Sequence, residues 1–321
     1  MNRSLNVLFI SSDKNGKINP IIKAQGESLK NQNVNVDYFL IKKPGIKGYL
    51  RSILELRRLV KSNDYDICHA HYSLSGIVAS LGYSGPVITS LMGSDVNKNL
   101  LMNSVAKLFA KKVWNHTIVK SKQMSTNLSG NRVSVIPNGV DISSFKWVNK
   151  INAQKKLGWN NKMQHILFAA NPDRPEKNFG LAKKAFKTLS KNNQNVELHT
   201  LINIPHSEIA NYMNASDVIL LTSKWEGSPN VIKEAMACNR PIVCTDVGDV
   251  RWLFGNLPGH YISKFDAIHV SHNIQKAINF ATNEKSTIGR RRIKELNLDD
   301  NSVALKLREV YQESMSGREY L

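Results

Sequence analysis

The sequence predicts an α/β protein of two doubly wound parallel sheets, each forming a Rossmann-like domain. Three observations carry that reading. Short apolar runs alternate with helical patterns in two successive series, parted by a polar stretch rich in Lys and Asn. Within a run the apolar residues are nearly continuous, as expected of strands covered on both faces. A length of 321 residues also suits two domains of about 150 residues better than one.

In chain order, the first series offers strands at Leu5–Ser11, Val34–Ile41, Ile67–Ala70, Val87–Leu91, Thr117–Val119 and Val133–Ile136. Helical patterns at Pro20–Lys30, Tyr49–Val60 and Leu74–Gly82 lie between them. The turn-forming Pro137-Asn138-Gly139-Val140 closes this series, and the polar stretch runs on to Gln164. Strands at His165–Ala170, Val196–Ile202, Val218–Thr222, Ile242–Thr245 and His260–Ile262 make the second series. Near the end, Val303, Leu305, Leu307 and Val310 mark a closing helix over Asn301–Ser316. The expected division is an N-terminal domain over residues 1–145 and a C-terminal domain over 146–300. A final helix within 301–321 is expected to pack back on the N-terminal domain.

Composition narrows the function. Hydrophobic content of 41% with 10 prolines fits an ordered globular chain. No stretch approaches the ~20 apolar residues that cross a bilayer, and Val7–Ile10 is too short for a signal-peptide core, so a cytoplasmic location is expected. Cys68, Cys238 and Cys244 show neither metal-ligand spacing nor a disulfide framework and read as small buried apolar residues. The formal net charge of +19 points to an anionic partner or surface. Nucleic acid is the less attractive choice, because aromatic residues are 7% of the chain and form no stacking cluster.

The most informative segment is Ser223–Ile242, which reads strand, turn, helix, strand. Ser228 suits the N-cap and Pro229 the first helical position. The amides of Asn230 and Val231 then cannot be satisfied from within the helix, and with the Gly227 turn they suit an anion such as diphosphate. Glu226 precedes the helix and Glu234 lies within it, with roughly 7.5 Å of helix axis between Pro229 and Glu234. That offset suits a diphosphate and the ribose of one nucleotide, so Glu226 would read a sugar and Glu234 the ribose hydroxyls.

With Ala235-Met236-Ala237 following, this Glu-x7-Glu block resembles the signature of retaining glycosyltransferases of family 4, which have the GT-B fold. The resemblance covers nearly the whole chain. It includes His69-Ala70-His71-Tyr72, Gly93-Ser94-Asp95, Val135–Asp141 with Phe145, and Asn171–Asn178. Bacterial enzymes that build capsular, exopolysaccharide or teichuronic-acid chains are the nearest in character. The resemblance implies that Glu226 contacts the donor sugar, that Gly227, Ser228, Pro229, Asn230 and Val231 hold sugar and phosphate, and that Glu234 binds ribose. Lys177 and Arg174 would neutralise the diphosphate leaving group as charge builds on it. Gly16 would admit the backbone close to phosphate or acceptor. It also implies a nucleoside diphosphate sugar as donor (UDP ahead of GDP), a glycan or lipid-linked glycan as acceptor, and chemistry without a metal or other cofactor. Three positions depart from the family pattern: Met92 stands where many relatives have His, Asn171-Pro172 where they have Gly-Arg, and Asp249 and Trp252 where they have Gly and Glu.

Each residue also has a plainer role open to it. His71 is either an acceptor-side base or orienter or a structural loop histidine, and His69 reads as structural. Asp95 reads as a helix cap and Lys233 as a solvated charge. The segment Ile46–Lys61 interleaves Lys47, Arg51, Arg57, Arg58 and Lys61 with apolar residues. It fits either a domain helix with solvated charges or one lying on an anionic membrane. Competing functions are a UDP-sugar 2-epimerase of the same fold, a nucleic-acid-binding protein, and a non-catalytic relative of the transferases.

Overall fold

The computed structural model describes residues 3–12, 16–42, 45–93, 100–126, 128 and 132–316, and these form two compact units, each with its own parallel sheet. One unit is Met1–Gly139 with Asp300–Leu321, the other Val140–Asp299. In the first, β1 (Leu5–Ser12), β2 (Val34–Ile41), β3 (Ile67–His71), β4 (Val87–Ser90), β5 (His116–Val119) and β6 (Val133–Val135) run in the order β2-β1-β3-β4-β5-β6. Its helices are α1 (Pro20–Lys30), α2 (Ile46–Lys61), α3 (Ser73–Gly82), α4 (Leu100–Lys112) and the short α5 (Lys122–Ser125).

Successive side chains of a strand point to opposite faces, and here both faces are covered. Val7 and Phe9 of β1 enter one core with Ile22 and Leu29 of α1, while Leu8 and Ile10 enter the other with Leu56 of α2 and Val78 of α3. Continuous apolar runs follow directly from that double burial.

The second unit contains α6 (Lys150–Leu157), β7 (Gln164–Phe168), a 3-10 turn (Pro175–Lys177), α7 (Phe179–Ser190), β8 (Val196–Thr200), α8 (His206–Ala215) and β9 (Val218–Leu221). It continues through α9 (Asn230–Ala237), β10 (Ile242–Thr245), α10 (Val250–Phe254), β11 (His260–Ser263), α11 (Ala267–Glu284) and α12 (Gly289–Glu295). Its five strands are ordered β11-β10-β9-β7-β8. Leu167, Ile219, Leu221 and Ile242 pack on the α9 side, and Ile166, Phe168, Leu220 and Val243 on the side of α7 and α11. Strand order reverses between β1 and β3 in the first sheet and between β7 and β9 in the second. Open α/β sheets bind ligands at the carboxyl ends of the strands flanking such reversals.

Several details differ from the sequence reading. Val140 and Phe145 are buried in the second unit's core, and Val140 pairs with Asp299, so the boundary lies at Gly139 rather than at 145. Within the polar stretch stands α6, capped by the Asn149 side chain, which accepts from the amides of Ile151 and Asn152 at 3.0 and 3.4 Å. Gly158, at φ 69°, ends it. Lys233 is no solvated charge; it is fully buried. The three cysteines are free and buried.

The last helix, α13 (Asp300–Ser316), packs on the first unit through Val303, Ala304, Leu307, Val310 and Tyr311. Leu305 lies off this stripe and is 48% exposed, because the buried positions follow the helical period. Tyr311 is fully buried and its hydroxyl lies 2.7 Å from Nδ1 of the equally buried His69, whose Nε2 reaches Ser90 Oγ at 2.9 Å. Tyr311→Phe removes that partner and leaves a buried ring nitrogen unsatisfied, which costs about 1–3 kcal/mol. Urea unfolding should therefore show a lower midpoint at unchanged slope, and an unshifted midpoint would contradict this role.

Candidate functional site

Three loops at the carboxyl ends of β7, β9 and β10 build the site in the second unit. After β7 the chain passes Arg174, makes the 3-10 turn and leaves through Asn178 in the left-handed conformation, at φ 55°. After β9, Thr222 Oγ1 donates to the carbonyls of Lys177 and Asn178 at 3.2 and 3.0 Å, and the Lys224 amide donates to the Glu176 carbonyl at 2.8 Å. These bonds tie one loop to the next. They bring Lys177 Nζ to 2.5 Å from Glu226 Oε1, which also accepts from Ser223 Oγ at 2.7 Å. The two charged side chains are only 11% and 16% exposed, so little solvent screens the pair.

The third loop supports the second. Thr245 Oγ1 donates to the Ser223 carbonyl at 2.6 Å. Gly248, at φ 59°, lies so close that a Cβ there would sit 2.6 Å from the Gly227 carbonyl oxygen. Any larger residue would push away the backbone that follows Glu226.

Helix α9 begins one residue later than the sequence suggests. Pro229, at φ −70° and ψ 112°, is the N-cap, and its carbonyl accepts from the amides of Ile232 and Lys233 at 3.2 and 3.4 Å. Ser228 makes no cap bond; its buried hydroxyl has no hydrogen-bond partner among the described residues. Burial raises the Asp249 carboxyl, and attraction to Lys233 opposes the rise. Burial pushes the Lys233 ammonium down to about 8, against the pull of Asp249 and Glu234. That attraction acts between α9 and the β10 loop.

Glu234, buried, accepts from His206 Nε2 at 3.0 Å. His206 opens α8 and rests edge-on against Phe145, with ring centroids 5.4 Å apart. The hydrogen bond to Glu234 holds its pKa above the ordinary value, burial opposes this, and the charges of Glu234 and Asp141 add to it.

Of the residues singled out in the sequence, the structure brings Lys177 and Glu226 together and sets Gly227, Ser228, Pro229, Asn230 and Val231 between Glu226 and Glu234 along the chain. Arg174 is engaged elsewhere: its guanidinium forks onto Glu176 at 2.9 and 2.6 Å and is 57% exposed. In the first unit, Gly16 sits exposed after β1 at φ 75°. His71 is not in a loop. It ends β3, fully buried, stacked on His69 at 4.6 Å, and burial with the charge of Lys120 pushes its pKa down to about 3. A buried imidazole held neutral is a poor acceptor-side base, and this burial favours the structural alternative for His71. Met92 packs against the core of the first unit, and Asp95 lies outside the described residues. Sequence reasoning missed His206, Gly248 and the Lys233–Asp249 pair. Thr245-Asp246-Val247-Gly248 was a turn signal for the second of these, but nothing in sequence links His206 to Glu234.

Comparison with known proteins bears on this geometry. Residues 21–144 match the family described as Glycosyltransferase Family 4, and residues 165–278 match Glycosyl transferases group 1. Both matches are to models of glycosyltransferases, one over each half of the chain. The GT-B fold expected from sequence is found: a sucrose-phosphate synthase from Thermosynechococcus elongatus superposes with a TM-score of 0.77 at 17% identity, covering 98% of this chain and 100% of that one. Anabaena HepE in complex with UDP and glucose superposes at 0.73 and 16% identity, covering 96% of this chain and 100% of that one. Among curated proteins, a putative teichuronic acid biosynthesis glycosyltransferase (TuaC) of Bacillus subtilis strain 168 is 29% identical over 59% of this chain and 55% of its own length. An Escherichia coli UDP-Gal:alpha-D-GlcNAc-diphosphoundecaprenol alpha-1,3-galactosyltransferase is 25% identical over 64% of each. The matched region thus spans less than two thirds of these curated relatives.

The His206–Glu234 pair gives this GT-B domain a pH signature. A histidine whose folded pKa is raised above its unfolded ~6.5 contributes stability that is complete below that value and fades as pH rises through the folded pKa. The wild type should lose part of its unfolding free energy on going from pH 6 to pH 8. His206→Gln should flatten that difference, and an identical pH profile in the variant would refute the assignment.

Proposed function

We propose that this protein is a retaining glycosyltransferase moving a sugar from a nucleoside diphosphate donor, UDP before GDP, to a glycan or lipid-linked glycan in cell-surface polysaccharide assembly. The observation that carries it is the Lys177–Glu226 pair at the strand reversal of the C-terminal sheet, with Glu234 five residues beyond Pro229 on α9. The UDP bound in the HepE structure and the UDP-Gal donor and diphosphoundecaprenol-linked acceptor named for the E. coli relative support the donor and acceptor classes.

In the proposed reaction the donor diphosphate draws Lys177 away from Glu226, and Arg174 leaves Glu176 to join it. Glu226, released, accepts hydrogen bonds from the sugar hydroxyls, while the amides of the Gly227–Val231 segment hold sugar and phosphate. Glu234, steadied by His206, accepts from the ribose. The anomeric C–O bond then breaks with its electron pair passing to the diphosphate, where Lys177 stabilises the growing charge. The acceptor hydroxyl attacks from the same face and gives its proton to the departing phosphate oxygen, so configuration is retained.

Thermal-shift titration with UDP, GDP, ADP and their sugars tests the donor assignment: UDP should stabilise the chain most, and no stabilisation by any of them would defeat the proposal. Glu234→Ala should weaken UDP binding about 10- to 100-fold, the worth of a hydrogen bond to a charged group. Lys177→Ala should slow turnover on the order of 10²–10³-fold with KM less affected. Incubation with UDP-N-acetylglucosamine and no acceptor separates the epimerase, which alone would yield a new UDP-sugar.

The same reading places the protein against an anionic membrane. No helix among the described residues is long and apolar enough to cross one. Helix α2 buries Leu56 yet leaves Leu50 and Leu54 58% and 55% exposed beside Arg51 and Arg58. Such an apolar-plus-basic face suits the headgroup boundary. The protein should co-sediment with phosphatidylglycerol vesicles in low salt, and Leu50→Asp with Leu54→Asp should abolish this; equal sedimentation of the double variant would exclude α2 as the contact.

A further inference from the structure

A second cluster of functional side chains lies on the same domain but belongs to no loop of the donor site. His165 is the second residue of β7, and its register partner on β8 is Glu197. His199, two residues further along β8, shares the face of Glu197. That face is closed by the loop between α6 and β7, whose Trp159 stacks on His199 with ring centroids 3.6 Å apart and planes within 11°. Tyr212 of α8 meets the edge of Trp159 at 5.9 Å.

Three atoms converge there. His165 Nδ1 lies 2.9 Å from His199 Nε2 and 3.4 Å from Glu197 Oε2, and the last two atoms are 3.6 Å apart. A triangle with those edges has a circumscribed radius of about 1.9 Å, just inside the ~2.0–2.2 Å bonds zinc makes to imidazole nitrogen and carboxylate oxygen. An ion slightly above its plane reaches all three at normal length, at ligand–ion–ligand angles of about 90–120°.

Protonation favours a cation as well. His165 Nε2 lies 2.9 Å from the Asn160 carbonyl oxygen, which can only accept, so Nε2 carries the proton and Nδ1 presents a lone pair. Histidine ligands of metals are typically fixed in this way, by a carbonyl on the far nitrogen. The Glu197 carboxylate brings further lone pairs to the same point. In the absence of a cation only the His199 N–H could bridge them. Exposure grades from His165 at 0% through His199 at 20% to Glu197 at 42%, which leaves one open side for access and for a water as fourth ligand.

We infer that His165, His199 and Glu197 form a binding site for one divalent transition-metal ion, with zinc the natural occupant. Two imidazoles and a single carboxylate disfavour Mg²⁺ and Ca²⁺, which need oxygen-rich shells. The ion would clip the edge strand β8 to β7 and to the Trp159 loop, a structural role independent of sugar transfer.

The test uses the full chain without added histidines, stripped with a chelator and titrated with CoCl₂, then with ZnCl₂. One equivalent of Co²⁺ should bind with the visible absorption of a four-coordinate site. Zn²⁺ should displace it and raise the unfolding midpoint, and a tenfold excess of MgCl₂ should do neither. His199→Ala should weaken uptake on the order of 100-fold or more, and Glu197→Gln, at a partly exposed position that leaves the fold intact, at least about 10-fold. His269→Ala, on α11, should bind as wild type. Absence of saturable uptake below millimolar metal, or uptake unchanged in both His199→Ala and Glu197→Gln, would overturn the site.

Discussion

A lysine and a glutamate held together out of most of the solvent, where the strand order of the second sheet reverses, is the constraint on which the site depends. Withdrawing two charges from water costs several kcal/mol each unless they meet each other and find further hydrogen bonds. Both conditions are met: Lys177 reaches Glu226 at 2.5 Å, and Ser223 donates to the same carboxylate oxygen. The geometry is imposed by the loops around it. Thr222 binds the carbonyls of the β7 loop, Thr245 that of Ser223, and Gly248 admits the backbone of Gly227 where no side chain fits. The pair is thus a product of three strand ends, and a shift in any of those loops would leave a poorly screened charge without its partner.

The strands were legible because parallel sheets covered on both faces leave a plain mark, unbroken apolar runs such as Val218–Leu221 and Ile242–Thr245. Helix α6 was not legible, since its Lys- and Asn-rich composition offers little apolar stripe; its evidence lay only in its ends, the Asn149 cap and Gly158. The site was half legible. Glu226, Lys177 and Glu234 stand in a recognisable order, but their partners come from elsewhere in the chain. Lys233 looked like any surface lysine, and only the fold reveals that it is buried and within reach of the charge of Asp249. His71 misled for the opposite reason. A histidine at a strand end reads as poised for chemistry, yet the strand runs one residue further and carries it into the core beside Phe9. Ser228 followed the usual N-cap preference, yet the helix starts one residue later, at a Pro229 cap, and the serine hydroxyl caps nothing.

Around α9, three acidic side chains each face a cationic one. Glu226 meets Lys177, Glu234 meets His206, and Asp249 feels the charge of Lys233. The three pairs differ in purpose. Lys233 is fully buried and Asp249 partly so, and their attraction links the β10 loop to α9. Glu234 is buried, and its titratable partner His206 is part-exposed. Lys177 and Glu226 keep 11% and 16% of their side chains exposed, which suits the proposed opening of the pair.

That intermediate burial bears on how the pair would serve the proposed transfer. An unpaired lysine there would take up solvent and wander among rotamers, and recapturing it on each cycle would cost side-chain entropy of roughly 1.5–2 kcal/mol. Pairing with Glu226 keeps the ammonium oriented at the loop ends. In the proposed reaction, a diphosphate would let Lys177 trade one anion for another and stay neutralised throughout. Glu226 would lose its cation just as sugar hydroxyls became available to satisfy it. The exchange requires little rearrangement of the surrounding dipoles, the condition under which electrostatic stabilisation of a leaving group is most effective.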